Sequence, residues 1–365
     1  MTKGALALFI TGGTENWSPP RWRERFRAVC PDRQVALLPA DHVDPDAVRY
    51  AAVWKPVPGT LKAFPNLAAI FNLGAGVDAL MADASLPDVQ IVRVADADLT
   101  GRMTEYVVMH VLMHHRHQRY LDACQRDRRW APPLQGAATA VRVGVMGLGV
   151  LGRDAADVLR RLGFDIAGWS RRRKDIAGIA TYAGEQELAA FLARTDILVC
   201  LLPSTPATRG ILNRRTFSLL ARDGVLGGPV VINAGRGALQ VEADLLAALD
   251  DGTLTAATLD VFATEPLPAD SPFWSHPKVT ISPHNAADTD PDAISIYVAE
   301  QIARDERGEP LPADSPFWSH PKVTISPHNA ADTDPDAISI YVAEQIARHE
   351  RGEPLQNVVD RRSGY

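Results

Sequence analysis

The chain has 365 residues, more than one hydrophobic core usually supports, so its length predicts two domains of ordinary size. With 46% hydrophobic and 22% charged residues, a formal net charge of −6 and neither sign gathered into a long block, the composition argues against nucleic-acid binding. No apolar run approaches the roughly 20 residues that span a bilayer, so no membrane association is expected.

The first apolar run, residues 5–10, is short and passes into Thr11-Gly12-Gly13, which reads as a strand and a turn rather than a signal peptide. Further runs at 35–38, 51–54, 69–72 and 90–92 are separated by polar or helix-length segments, the rhythm of a parallel sheet with covering helices. Residues 104–120 read as one long helix, and Pro132-Pro133 with the small residues 136–139 mark a linker. A β-rich run at 141–146 then ends on Gly147, followed by a helix with Ala155, Val158, Leu159 and Leu162 on one face and Gly163 as its stop. Strand candidates at 166–169, 197–202, 230–233, 256–259 and 279–282, with helical stretches such as 242–249 between them, complete a doubly wound α/β pattern.

Residues 265–308 recur as 309–352, and the two copies differ only where Asp305 becomes His349. Solenoids need three or more drifting repeats, whereas this is a single near-verbatim copy of a strand, a loop and a helix. The domain division expected is therefore 1–100 with 353–365, then 101–308, with 309–352 as the duplicate. Only one strand can hold one place in a sheet, so Ser282-Pro283-His284 competes with Ser326-Pro327-His328. Lengthening either connection costs only about 1–2 kcal/mol of loop entropy. Order of synthesis and the short connection from Glu265 favour the first copy, leaving the second helical, from its Asp334-Pro335 start, but poorly packed.

Gly147-x-Gly149-x-x-Gly152, with Val150 and Leu151 between its last two glycines, sits between a strand and a helix, where backbone N–H groups and the helix dipole receive a pyrophosphate. Alone, the motif also fits a structural turn. At the end of the next strand, where an acidic residue would hold a ribose 2′-hydroxyl, stands Trp169-Ser170-Arg171-Arg172-Arg173-Lys174. A carboxylate would repel a 2′-phosphate, while serine and arginine bind it through charge-assisted hydrogen bonds of about 1.5–3 kcal/mol each. NADPH is thus expected over NADH, although a solvated basic turn has the same composition.

Residues 232–237, 259–266 and 282–284 each follow a predicted parallel strand, the edge at which doubly wound sheets build sites. Together with the glycine loop and Leu73-Gly74-Ala75-Gly76-Val77-Asp78, these stretches resemble the D-isomer-specific 2-hydroxyacid dehydrogenases. Trp169-Ser170-Arg171 and Glu242-Ala243-Asp244-Leu245-Leu246 are most similar to the bacterial glyoxylate/hydroxypyruvate reductases of the A type.

The resemblance implies a flavodoxin-like substrate domain and a Rossmann-type cofactor domain with the active site in the cleft. The implied activity is NADPH-dependent reduction of glyoxylate or hydroxypyruvate. Arg236 would clamp the substrate carboxylate and polarise the keto oxygen, His284 would donate the proton, and Glu265 would pair with His284. Asp260 would hold the nicotinamide carboxamide and Pro203 would line the cofactor. Trp54 and the N–H groups of Ala75 and Gly76 would bind substrate. A homodimer is expected from the family through the helices around 104–120, with Trp130 approaching the partner's site. Other readings remain open here: a phosphoglycerate or D-lactate dehydrogenase, or an NADP-binding protein disabled by its duplication. His110, His114, His115 and His117 fall at helical spacing, but no nearby cysteine or carboxylate completes a shell, so no metal is expected. Cys30, Cys124 and Cys200 lack zinc or disulfide spacing, which suits a cytoplasmic protein.

Overall fold

The computed structural model describes residues 4–11, 18–74, 76–93, 97–287 and 291–307. The second copy, 309–352, with His328, and the tail 353–365 lie outside the described residues. The chain forms two compact units, divided between Leu99 and Thr100 and again between Asp288 and Thr289.

The first unit begins with β1 (Ala5–Ile10), α1 (Pro19–Val29), β2 (Val35–Leu37), β3 (Val48–Trp54), β4 (Ala69–Asn72), α2 (Asp78–Met81) and β5 (Gln90–Arg93). Its five described strands are parallel in the order β2-β1-β3-β4-β5, the flavodoxin-like arrangement. Every residue of β1 and β4 is buried, as expected of strands covered on both faces.

In the second unit, α3 (Ala97–His115), which begins three residues before the division, and α4 (Gln118–Arg126) precede β6 (Arg142–Met146), α5 (Val150–Arg161), β7 (Asp165–Ser170) and β8 (Ala180–Ala183). Then follow α6 (Gly184–Ala193), β9 (Ile197–Cys200), α7 (Arg214–Ser218), β10 (Val230–Asn233), α8 (Glu242–Asp250), β11 (Ala256–Leu259) and β12 (Val279–Ile281). The sheet runs β12-β11-β10-β9-β6-β7-β8, parallel throughout, which is Rossmann order with its switch between β6 and β9. The last described helix, α9 (Pro291–Arg307), returns to the first unit.

Three sequence expectations change. The cofactor unit ends at Asp288 rather than 308, because Ile294, Val298 and Ile302 of α9 complete the core made by Leu6, Leu8, Trp22, Phe26 and Phe71. The expected helix over 104–120 is two helices, broken at His117, whose φ of 54° is left-handed. On α5 the buried face is Gly152, Ala155, Ala156 and Leu159, while Leu162 is exposed. The stop at Gly163 is a Schellman closure: its φ is 94°, its N–H reaches Arg160 O at 2.9 Å, and Phe164 N–H reaches Leu159 O at 3.2 Å. Strand β8 has no apolar run to announce it, being a partly exposed edge.

The strand of the first copy, Val279–Ile281, holds the sheet place beside β11. The same copy also supplies α9, so its strand and its α-helix are both in use.

Candidate active site

Strands β10, β11 and β12 lie side by side, so the residues just past their C-terminal ends emerge along one edge of the sheet. These are 234–237, 260–265 and 282–284, and among them stand Arg236, Glu265 and His284.

The arginine loop is shaped by Asn233, which is fully buried. Its Nδ2 donates to Arg236 O at 3.1 Å and to Gln240 Oε1 at 2.9 Å, and its Oδ1 accepts the Gly235 N–H at 3.1 Å. The glycine after the arginine is required by close approach: a Cβ on Gly237 would lie 1.9 Å from Phe262 O. Arg236 is half-buried, with Nη1 donating to Gly235 O at 2.8 Å.

Glu265 divides its carboxylate between two tasks. Oε1 accepts the Phe262 N–H at 3.0 Å, and Oε2 lies 2.7 Å from His284 Nδ1. With Nδ1 committed to the carboxylate, Nε2 is the nitrogen left to carry a proton toward a substrate. His284 has a φ of 53°, a left-handed conformation that costs a non-glycine residue about 1–3 kcal/mol and recurs at functional sites.

Asp260 is buried and bound to the histidine loop in a way the sequence did not reveal. Its backbone O accepts the His284 N–H at 2.8 Å. Its Oδ1 accepts from Ser282 Oγ at 2.7 Å and from Asn285 N–H at 3.0 Å, and Ala286 N–H reaches Oδ2 at 3.1 Å. Tyr106 of α3 lies 2.6 Å from Ser282 Oγ, and burial pushes its phenol well above the usual range. Neither Tyr106 nor Asn233 was singled out from sequence. Asn233, adjoining Gly235-Arg236-Gly237, carried a signal in its position, whereas Tyr106 lies 176 residues from its partner and carried none.

The glycine loop sits at the switch between β6 and β9. Gly147 has a φ of 105°, and its N–H bonds Trp169 O at 2.9 Å. A Cβ on Gly152 would lie 1.9 Å from Gly147 O, so the third glycine lets α5 approach the loop. Gly149 is the N-cap of α5, and a Cβ there would meet nothing within 4 Å, leaving that side open. The first-turn N–H groups of Val150, Leu151 and Gly152 have no partner within an α-helix, which suits a pyrophosphate. At the end of β7, Ser170 is buried and donates to Arg172 O at 2.7 Å. Arg173 is taken by Thr181 O, at 2.8 Å, and by Glu187, whereas Arg171 is exposed. Pro203 follows β9, its carbonyl accepting Thr208 Oγ1 at 2.6 Å. These residues fit a dinucleotide with a 2′-phosphate.

In the first unit, Asn72 Nδ2 donates to Gly74 O at 2.6 Å and to Gly76 O at 3.0 Å. The Trp54 ring lies against Gly74, where a Cβ would meet its Cζ3 at 2.3 Å. Trp54 and Gly76 thus border one loop, while Ala75 lies outside the described residues.

The helical histidines take separate partners. His110 Nδ1 bonds Tyr106 O at 2.8 Å, His114 Nε2 bonds Thr258 Oγ1 at 2.9 Å, and His115 packs edge-on to Phe164. Among the described residues no group of three or more His, Cys, Asp or Glu could hold a metal ion. Within them, no helix is long and apolar enough to cross a membrane.

Comparison with known proteins agrees with this geometry. Residues 108–286 match the family model "D-isomer specific 2-hydroxyacid dehydrogenase, NAD binding domain". Glyoxylate/hydroxypyruvate reductase A of Serratia proteamaculans is 41% identical over 295 residues, covering 79% of this chain and 92% of that protein. The chain belongs to the D-isomer specific 2-hydroxyacid dehydrogenase family. Two solved members of this dehydrogenase family share its fold. The NADPH-dependent glyoxylate/hydroxypyruvate reductase of Sinorhizobium meliloti, in complex with NADP and sulfate, has a TM-score of 0.77 at 39% identity and full coverage of both chains. A probable 2-hydroxyacid dehydrogenase of Rhizobium etli CFN 42, in complex with NADP, HEPES and L(+)-tartaric acid, has a TM-score of 0.75 at 41% identity, covering 99% of each chain.

Proposed function

We propose that this chain is an NADPH-dependent reductase of small 2-keto acids, converting glyoxylate to glycolate and hydroxypyruvate to D-glycerate. The observation that carries this reading is the Glu265–His284 pair, 2.7 Å apart, sharing a sheet edge with Arg236. NADPH, when bound, supplies the hydride. Its pyrophosphate is assigned to the loop of Gly147, Gly149, Val150, Leu151 and Gly152, and its 2′-phosphate to Arg171 and to Ser170, whose hydroxyl would turn from Arg172 O to donate to it. Pro203 lines the cofactor. Asp260 Oδ2 accepts only the Ala286 N–H among the described residues and so retains acceptor capacity for the carboxamide.

Arg236 offers a planar fork to the substrate carboxylate and polarises the keto oxygen. Protonated His284 gives its Nε2 proton to that oxygen as the carbonyl carbon is reduced, and Glu265 stabilises the cationic ring before transfer. Trp54, Ala75 and Gly76 are the substrate-binding candidates of the first unit. A cytoplasmic location accords with Cys30, Cys124 and Cys200 being buried thiols.

The test is a panel of keto acids assayed with NADPH and NADH, together with His284→Ala and His328→Ala. Turnover of glyoxylate and hydroxypyruvate with NADPH, lost in the His284 variant, is expected. Loss only in the His328 variant, or a higher kcat/KM with NADH, overturns the corresponding assignment.

A homodimer is part of the same reading. It is supported by exposed apolar side chains on and beyond the two helices split at His117: Met109, Tyr120, Leu121, the wholly exposed Trp130, and Leu134. Sedimentation of the wild type and of Trp130→Ala checks it, and a monomeric wild type refutes it.

A further inference from the structure

We propose that Tyr106, Ser282 and Asp260 form a positioning chain that holds His284 in its left-handed backbone conformation. The inference rests on the reading of His284 as proton donor. The direction of each hydrogen bond follows from counting protons. The Asp260 carboxylate accepts from Ser282 Oγ at 2.7 Å, which uses the one serine hydroxyl proton. Tyr106 O–H must therefore be the donor across the 2.6 Å contact to Ser282 Oγ. Burial and the nearby Asp260 charge both raise the Tyr106 phenol, so it stays protonated and able to donate.

Asp260 converts this chain into backbone geometry. Its Oδ1 takes the Asn285 N–H at 3.0 Å and its Oδ2 the Ala286 N–H at 3.1 Å, while its own carbonyl takes the His284 N–H at 2.8 Å. Three consecutive amides beginning at the histidine are thus tied to one residue. That fixes the φ of 53° which the isolated residue would not favour. Tyr106 is held in turn: His110 packs its ring 4.1 Å from the phenol ring and bonds the Tyr106 carbonyl. Removing the Ser282 hydroxyl takes a donor from the Asp260 carboxylate in a buried site, and removing the Tyr106 hydroxyl leaves Ser282 Oγ without its own donor and weakens the bond it makes to Asp260. The carboxylate must then shift toward the amides it serves, and the histidine shifts with them.

Tyr106→Phe and Ser282→Ala in the full chain test the chain, with Ser282→Thr as the conservative rescue. We expect kcat to fall by about tenfold, the KM for glyoxylate to stay within about twofold, any rise in the Kd for NADPH to be much smaller than the loss of kcat, and Ser282→Thr to recover most of the rate. Because Tyr106→Phe deletes one hydroxyl and keeps the ring, it remains informative if Ser282→Ala folds poorly. Unchanged kcat in Tyr106→Phe overturns the inference, as does a loss of rate matched by equal losses in NADPH affinity and thermal stability. His284→Ala separates the two levels. If that variant still turns over, the donor assignment fails. If it is inactive while Tyr106→Phe is normal, only the positioning chain fails.

Discussion

Glu265 reaches His284 with one carboxylate oxygen at 2.7 Å while its other oxygen is pinned by the Phe262 amide at 3.0 Å. The carboxylate therefore cannot rotate away from the imidazole without giving up a backbone bond, and the ring's orientation is set before any substrate arrives. Glu265→Gln keeps the shape and removes the charge. We expect a kcat loss of about 10²-fold with little change in KM, read from steady-state keto-acid reduction.

In the proposed reading cofactor choice turns on Arg171, because Arg173 is already engaged with Thr181 and Glu187. Arg171→Ala removes a charge-assisted contact to the 2′-phosphate and should lower kcat/KM for NADPH by about 10- to 100-fold while leaving NADH nearly unaffected. Parallel assays with the two cofactors check this. An equal loss with both refutes the assignment.

Two glycines of one loop should fail in different ways. Gly152→Ala drives a Cβ to within 1.9 Å of Gly147 O and should cost roughly 1–3 kcal/mol of stability in urea unfolding. Gly149→Ala meets nothing within 4 Å, so the fold should persist while the new methyl obstructs the phosphate side. Its signature is a raised NADPH Kd at an unchanged Tm.

Acid should weaken the second unit through His114. Burial holds its imidazole at about 4, so in the folded chain it stays neutral below pH 6.5 while the unfolded chain takes up a proton. Stability is therefore lost as pH falls from 6.5 toward 4, on the order of 3 kcal/mol for this group at full effect. Burial also lowers His110 and His115, so their contributions have the same sign. His114→Gln should flatten the dependence of urea midpoint on pH within that window.

Most strands could be read from the sequence because parallel strands covered on both faces are written as apolar runs. Residues 5–10, 69–72, 230–233 and 256–259 were bounded to the residue. The runs failed where burial is partial, at β8, and where a single backbone angle decides, at His117. The charged candidates Arg236, Glu265 and His284 follow predicted strands and were given their roles by the family resemblance, and the structure brings Glu265 and His284 into contact. Asn233 and Tyr106 act by holding backbone and neighbouring side chains; Asn233 is marked only by its place beside Gly235-Arg236-Gly237, and Tyr106, 176 residues from Ser282, leaves no local pattern. Asp260 was noticed for a ligand contact, whereas its strongest bonds are to the loop of the histidine.

Among the described residues, strand β12 is the last in its sheet and hydrogen-bonds to β11 alone. An edge strand of three residues can be exchanged without opening any other ladder, and residues 323–325 repeat its sequence letter for letter. The two segments are therefore identical in sequence at the edge, and what distinguishes them is the connection from Leu259, which is 44 residues longer to the second than to the first.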